Sequence, residues 1–245
     1  MGKLDTRWSQ HEVAGRNVLV FEPDEPRAAV LWLHGYDEQS WQGRSAFESA
    51  FATERLLVVA PSGGQGWWLD LPLAGFPADL TPARLVVDEL PCWIESRWSF
   101  APPRIGFAGV GMGGQGAVNL GFRNARRFPV VAAIAPDIDF HQWHGAGTAL
   151  DQLFPSREAA RQQTATLHLH PLNWPRHVLM VCDPDDPACF DGTERLASKL
   201  ISSGIPFDCD FQTRAGGHSW EYFDAMIPQV AQFLGTHLSE TGNSE

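Results

Sequence analysis

The feature that most constrains this 245-residue chain is an alternation of short, β-rich apolar runs with longer stretches of helical periodicity. The runs fall at 18–21, 29–33, 56–60, 105–108, 130–134, 178–181 and 207–211. Between them, 46–54, 82–98, 115–127, 194–203 and 222–238 carry apolar residues at helical spacing, and Gly204 stands where the fourth should end. Continuous apolar runs of strand length belong to strands covered on both faces. The alternation therefore predicts an α/β fold, a mostly parallel sheet with helices on both sides. No repeat or low-complexity linker interrupts the pattern, so a single domain over 1–245 is expected, with a polar, frayed tail at 239–245. The longest span without a clear strand is 137–176, and its middle, 150–166, reads as helical. Such an excursion sits above the carboxyl edge of the sheet, where ligands bind, and is either a small helical cap or an ordinary pair of surface helices.

Composition narrows the function classes. Hydrophobic residues make up 44% of the chain, which excludes general disorder, and a net charge of −11 makes nucleic acid or an anionic membrane a poor partner. The first ten residues lack a secretory apolar run, and no stretch is long and apolar enough to span a bilayer, so a soluble cytoplasmic protein is expected. Cys92, Cys182, Cys189 and Cys209 are irregularly spaced with no paired CxxC motif and read as reduced thiols. Small-molecule chemistry moves up, and a homo-oligomer stays open.

After the run at 105–108 comes Gly109-Val110-Gly111-Met112-Gly113-Gly114-Gln115-Gly116, then an amphipathic helix. A strand, a tight glycine turn and a helix form the setting of a nucleophile elbow, whose pattern is G-x-S-x-G. Here it reads G-V-G-M-G, with Gly111 in the place of the serine. The segment resembles the GHSMGG-type elbow of α/β-hydrolase esterases of the esterase D and S-formylglutathione hydrolase type, and the resemblance extends over about 29–234. It implies the α/β-hydrolase fold and places further residues in order. Leu33-His34-Gly35-Tyr36 resembles the turn that helps form the oxyanion hole, with the Tyr36 and Met112 N–H groups as donors. Pro61-Ser62-Gly63-Gly64-Gln65-Gly66-Trp67-Trp68 resembles the stretch lining the pocket. Asp183-Pro184-Asp185-Asp186-Pro187 resembles the acid loop, with Asp186 the best match and Asp183 and Asp185 as alternatives. Gly216-Gly217-His218-Ser219-Trp220-Glu221-Tyr222 matches the histidine segment closely. The resulting site comprises Gly111, Asp186 and His218, the donors Tyr36 and Met112, and a pocket of His34, Gly35, Trp67, Trp68, Ser219 and Trp220.

In such a site a neutral histidine takes the nucleophile's proton, a carboxylate fixes its tautomer, and paired N–H groups receive the oxyanion. All but the nucleophile is present, and no other serine stands in a G-x-S-x-G. The expected ligand is a small ester, thioester or carboxylate, with a glutathione thioester suggested by the resemblance alone. An inactive or strongly impaired esterase, a pseudoenzyme that only binds an acyl or carboxylate ligand, and water activation by His218 are the readings this leaves.

Two rival patterns carry less. Gly109 to Gly114 also satisfies G-x-G-x-x-G, with Asp137 as the ribose ligand of a dinucleotide site. That leaves three earlier strands and the His218 segment without a role. His141-x-x-His144 and His168-x-His170 lack the accompanying carboxylate of a metal motif, so neither a metal nor a cofactor is expected.

Overall fold

A computed structural model describes residues 7–241. Eight strands form one sheet: β1 (Trp8–Val13), β2 (Arg16–Phe21), β3 (Ala28–Leu33), β4 (Leu56–Pro61), β5 (Ile105–Val110), β6 (Val130–Ile134), β7 (His177–Val181) and β8 (Asp208–Asp210). Their order is β1-β2-β4-β3-β5-β6-β7-β8. The pairs β1–β2 and β2–β4 are antiparallel and every later pair is parallel.

β3 shows why the sheet needs two covers. Ala29, Leu31 and Leu33 enter one apolar cluster, and Ala28, Val30 and Trp32 enter the other. Successive side chains leave a strand on opposite faces, so a strand apolar at every position has to be buried twice. One face is covered by α3 (Leu90–Trp98), α4 (Met112–Arg123) and α7 (Phe190–Ser202), the other by α1 (Ser45–Thr53) and α8 (Trp220–Thr241). A short turn, α2 (Pro82–Arg84), and a π-helical turn at Leu85–Glu89 lead into α3.

The strand expectations hold to within a few residues, and β1 was not foreseen. Its pattern, WSQHEV, is polar and half exposed, as suits an edge. Helix α8 carries through Thr241, so the tail expected to fray from 239 is helical at its start, and 242–245 lie outside the described residues.

The segment 137–176 holds two short helices, α5 (Leu150–Leu153) and α6 (Arg157–Arg161), with 3₁₀ turns at Phe140–Trp143 and Ala165–Leu167. The stretch read as helical over 150–166 is helical in two pieces, parted at Phe154, whose extended backbone is what a following proline, Pro155, favours. Phe140, Leu150, Phe154, Ala160 and Ala165 are buried in the same cluster as α4. Among the described residues no helix is long and apolar enough to cross a membrane.

Candidate active site

The carboxyl ends of β3, β5, β6 and β7 meet on one edge of the sheet, and the loops leaving them carry the site. Gly111 joins β5 to α4 with φ +54° and ψ −117°. A Cβ there is strained, which is the backbone state of an elbow nucleophile and one that glycine takes at little cost. The turn is pinned on both sides: Gly111 N–H donates to the Ile134 carbonyl (3.1 Å), and its own carbonyl accepts from Gln115 N–H (3.0 Å) and Asp137 N–H (3.1 Å).

The glycines around it serve packing. A Cβ on Gly113 would overlap the Leu33 carbonyl, so the first turn of α4 can lie directly on β3 only because that position is bare. This accounts for the G-x-G-x-x-G pattern without a phosphate, and the strand order is not that of the paired βαβαβ halves of a dinucleotide fold.

His218 stands over the turn. A Cβ at Gly111 would lie 3.2 Å from both Cε1 and Nε2 of its ring and within 4 Å of nothing else beyond its chain neighbours. On the far side of the ring, Nδ1 is 2.8 Å from Asp186 Oδ2. Asp186 is fully buried, and its other oxygen accepts from the N–H groups of Ala188 (3.0 Å) and Cys189 (3.1 Å). The His218 side chain is 42% exposed, so the ring is fixed from behind and open in front. Burial pulls its imidazolium down, but the Asp186 hydrogen bond and charge, with Asp137 and Asp37 adding to them, leave its pKa above the ordinary value. Burial pushes the Asp186 carboxyl up. The His218 bond and charge and the two backbone N–H groups outweigh this and hold it below the usual range.

Among the three acidic candidates, the geometry separates the roles. Asp183 is also fully buried and faces the backbone: it accepts from Asp185 N–H (2.8 Å), Ala215 N–H (2.7 Å) and Gly217 N–H (2.9 Å), tying the His218 loop to the end of β7. Asp185 is paired with Arg214 at the surface. Tyr36 N–H and Met112 N–H donate to no acceptor among the described residues and remain available at the elbow.

Several expected pocket residues turn out to be supports. His34 is 9% exposed; its Nε2 accepts from Gly63 N–H (2.9 Å), so the proton sits on Nδ1 and is donated to the Gly35 carbonyl (2.8 Å). Trp68 is buried, lies against Gly63 and Gly116, and donates to the His34 carbonyl (3.3 Å). It is a wedge beneath α4 rather than a pocket wall. Trp67 is also buried, between Tyr36 (5.8 Å) and Phe140 (5.2 Å). Ser219 is spent on helix capping, with Oγ accepting from Tyr222 N–H (3.3 Å) and donating to the Ala215 carbonyl (3.3 Å). Trp220 faces α1, bonded to Gln39 Oε1 (2.9 Å) and stacked under Arg44.

Two site residues were missed in the sequence. Cys189 Sγ lies 3.5 Å from His218 Nδ1, but burial, then the charges of Asp137 and Asp186, push its thiol well above the usual range, so it is no thiolate nucleophile. Asp137, considered above as a ribose ligand, is 8% exposed beside Gly111. Burial lifts its carboxyl to about 7 even though Trp143 Nε1 donates to Oδ2 at 2.5 Å. Its place just beyond β6 on the ligand edge was the only available signal. The histidines at 141, 144, 168 and 170 do not converge: His144, His168 and His170 are each bound to nearby backbone.

The family model described as "Putative esterase" matches residues 14–234. The mouse S-formylglutathione hydrolase is 26% identical over a stretch covering 44% of this chain and 45% of that protein, so the match spans less than half of the relative. In structure, an S-formylglutathione hydrolase from Agrobacterium tumefaciens superposes over 94% of both chains with a TM-score of 0.78 at 19% identity. The fluorophosphonate-binding serine hydrolase FphF of Staphylococcus aureus covers 93% of this chain and 97% of its own, with a TM-score of 0.74 at 13% identity. At such identities the structural likeness speaks for the fold. The family match over nearly the whole chain places it: the chain has the α/β-hydrolase fold and belongs to the "Putative esterase" family.

Proposed function

We propose that the protein is an esterase scaffold that binds a small carboxylic ester or thioester but does not form an acyl-enzyme, and is therefore inactive or strongly impaired as a hydrolase. The observation that carries this is the bare apex at Gly111, directly beneath the His218 ring. The elbow backbone and the His218–Asp186 pair stand around the place of a hydroxyl that the chain lacks, and the N–H groups of Tyr36 and Met112 are unspent. Loss of the nucleophile in a triad hydrolase costs about 10⁶ in turnover, leaving about 10³–10⁴ over water from binding and the oxyanion donors. Binding without turnover, as in a regulatory pseudohydrolase, needs only what remains. The carboxyl groups of Asp137, Asp186 and Asp37 around His218 favour a neutral ester over a carboxylate ligand.

A second reading has one specific observation in its favour. With no heavy atom but those of the His218 ring within 4 Å of the Cβ position, a water could stand beside Gly111 and be deprotonated by Nε2. Hydrolysis would then be a single step, with no covalent intermediate.

The test is hydrolysis of p-nitrophenyl acetate and of an acyl thioester by the unaltered protein and by His218→Ala, together with mass spectrometry after a fluorophosphonate probe. The proposal expects no burst and no adduct. Slow turnover abolished in His218→Ala selects the water route, and a burst or a stable adduct overturns both readings.

A further inference from the structure

The edge of the sheet opposite the active site carries a group of side chains that esterase chemistry leaves unused. His177 is the first residue of β7, at the end away from Asp186, with its N–H bonded to the Pro129 carbonyl (2.9 Å). His237 and Glu240 lie three residues apart on α8 and so share one helix face. The two imidazoles stack with centroids 3.8 Å apart and planes 10° apart. His237 Nδ1 is 3.2 Å from Glu240 Oε2, and Phe233 packs edge-on against His237 at 4.6 Å. One ligand atom from each of the three lies within 4.8 Å of the others. Both histidines are half-buried, while Glu240 reaches solvent.

We propose that His177, His237 and Glu240 form a binding site for a borderline divalent transition metal, zinc above all, that clasps the end of α8 to the start of β7. Two imidazoles and one carboxylate form an N₂O donor set that suits zinc, cobalt, nickel or copper and is a poor match for magnesium or calcium, which prefer all-oxygen shells. Zinc holds such ligands at roughly 2.0–2.2 Å, which sets tetrahedral neighbours about 3.4 Å apart. Closing from 4.8 Å brings the ligand atoms about 1.4 Å nearer one another, and since a metal lies in the plane of each imidazole it binds, the two stacked rings also have to turn out of their parallel arrangement through their side-chain torsions. Three protein ligands leave the fourth position to water. The two elements are already packed, as Leu238 of α8 sits in the same apolar cluster as Val130 and Leu179 of β6 and β7, so the ion would lock a junction that hydrophobic burial has formed.

The histidines singled out by spacing, at 141, 144, 168 and 170, do not gather into such a set. The site combines one strand residue with two helix residues 60 and 63 positions away in the chain, which a local motif cannot encode.

The experiment uses the whole chain carrying Cys92→Ser and Cys209→Ser, which removes the two exposed thiols as competing ligands. After chelator treatment it is titrated with ZnCl₂ by calorimetry and with Co²⁺ by visible absorption. The proposal expects one equivalent bound and d–d bands of a four-coordinate Co²⁺ site. At a hundredfold excess over Kd it also expects a Tm rise of about 5–10 °C, with none from Mg²⁺. His177→Gln and His237→Gln should each weaken zinc by more than the roughly 10- to 100-fold that loss of an outer partner costs, with far-ultraviolet circular dichroism confirming the fold. Glu240→Gln should weaken it less, since an amide oxygen can still ligate. Zinc bound with equal affinity by the parent and both histidine variants, or not bound at millimolar metal, overturns the proposal. A variant that does not fold is replaced by His237→Asn, read by the same titrations.

Discussion

Gly111→Ser is the perturbation most closely tied to the geometry. The new Cβ would take φ +54° and ψ −117°, a backbone state costing about 1–3 kcal/mol for a residue with a side chain. It would also stand 3.2 Å from Cε1 and Nε2 of His218, so the ring has to yield by a few tenths of an ångström, which its exposed front permits. At about 2–4 °C per kcal/mol for a chain of this length, Tm should fall by about 2–12 °C. Gly111→Ala carries the same strain and the same Cβ contact, so it should lose nearly as much and serves as the control without a hydroxyl. The added Oγ enters hydrogen-bond range of Nε2, and up to about 10⁶ in kcat becomes recoverable. A gain of at least about 10³ over the parent on p-nitrophenyl acetate, with a burst stoichiometric with enzyme, is the expected outcome, lost again when His218→Ala is added. The Gly111→Ala variant should show no gain. A folded Gly111→Ser protein that neither turns over the ester nor takes up a fluorophosphonate would refute the view that only the hydroxyl is missing.

Three further outcomes follow from the site. Asp137, raised to about 7 by burial, binds a proton in the folded state that the unfolded chain has released above its ordinary value near 3.8, so its contribution to stability falls as pH rises from about 4 to 7. Asp137→Asn should therefore stabilise the protein by about 2–3 kcal/mol more at pH 8 than at pH 5 in urea unfolding, and equal effects at the two pH values would contradict the assignment. Asp186→Asn removes the charge that does most to hold the His218 pKa up while leaving its burial and the smaller pull of Asp137 and Asp37, so the ring's NMR titration should move to lower pH. In the Gly111→Ser background the same change should lower kcat by about 10⁴. Asp183→Ala takes the acceptor from three backbone N–H groups, of which that of Gly217 is buried, and should cost about 2–4 kcal/mol, read as a drop in urea midpoint, whatever the activity of the parent.

How much of this was legible in the sequence depends on whether a residue's role is local. The strands buried on both faces, such as β3 and β6, declare themselves as continuous apolar runs, and the elbow and the His218 segment are contiguous patterns. β1 escaped because an edge strand with one wet face has no such run. The acid loop placed three aspartates within four residues, and only the direction in which each side chain leaves the turn tells the one on His218 from the one on the backbone. Trp67 and Trp68 fit an aromatic pocket wall by composition. Trp68 owes its burial to bare glycines at 63 and 116, which open a slot for it beneath α4, and Trp67 is enclosed between Tyr36 and Phe140. The Asp137–Trp143 contact and the Cys189–His218 approach arise from backbone excursions whose course no periodicity records.

Glycine normally loosens a chain, yet Gly111 is tethered through its N–H to β6 and through its carbonyl to α4 and to the residue at 137. The elbow's shape is thus an attribute of the sheet–helix junction and not of the residue occupying its apex. Exchange of side chains at that apex is therefore expected to act on its own local strain and chemistry and to leave the architecture beneath it in place. A lineage built this way can drift between enzyme and receptor while its scaffold stays under the same packing constraints throughout.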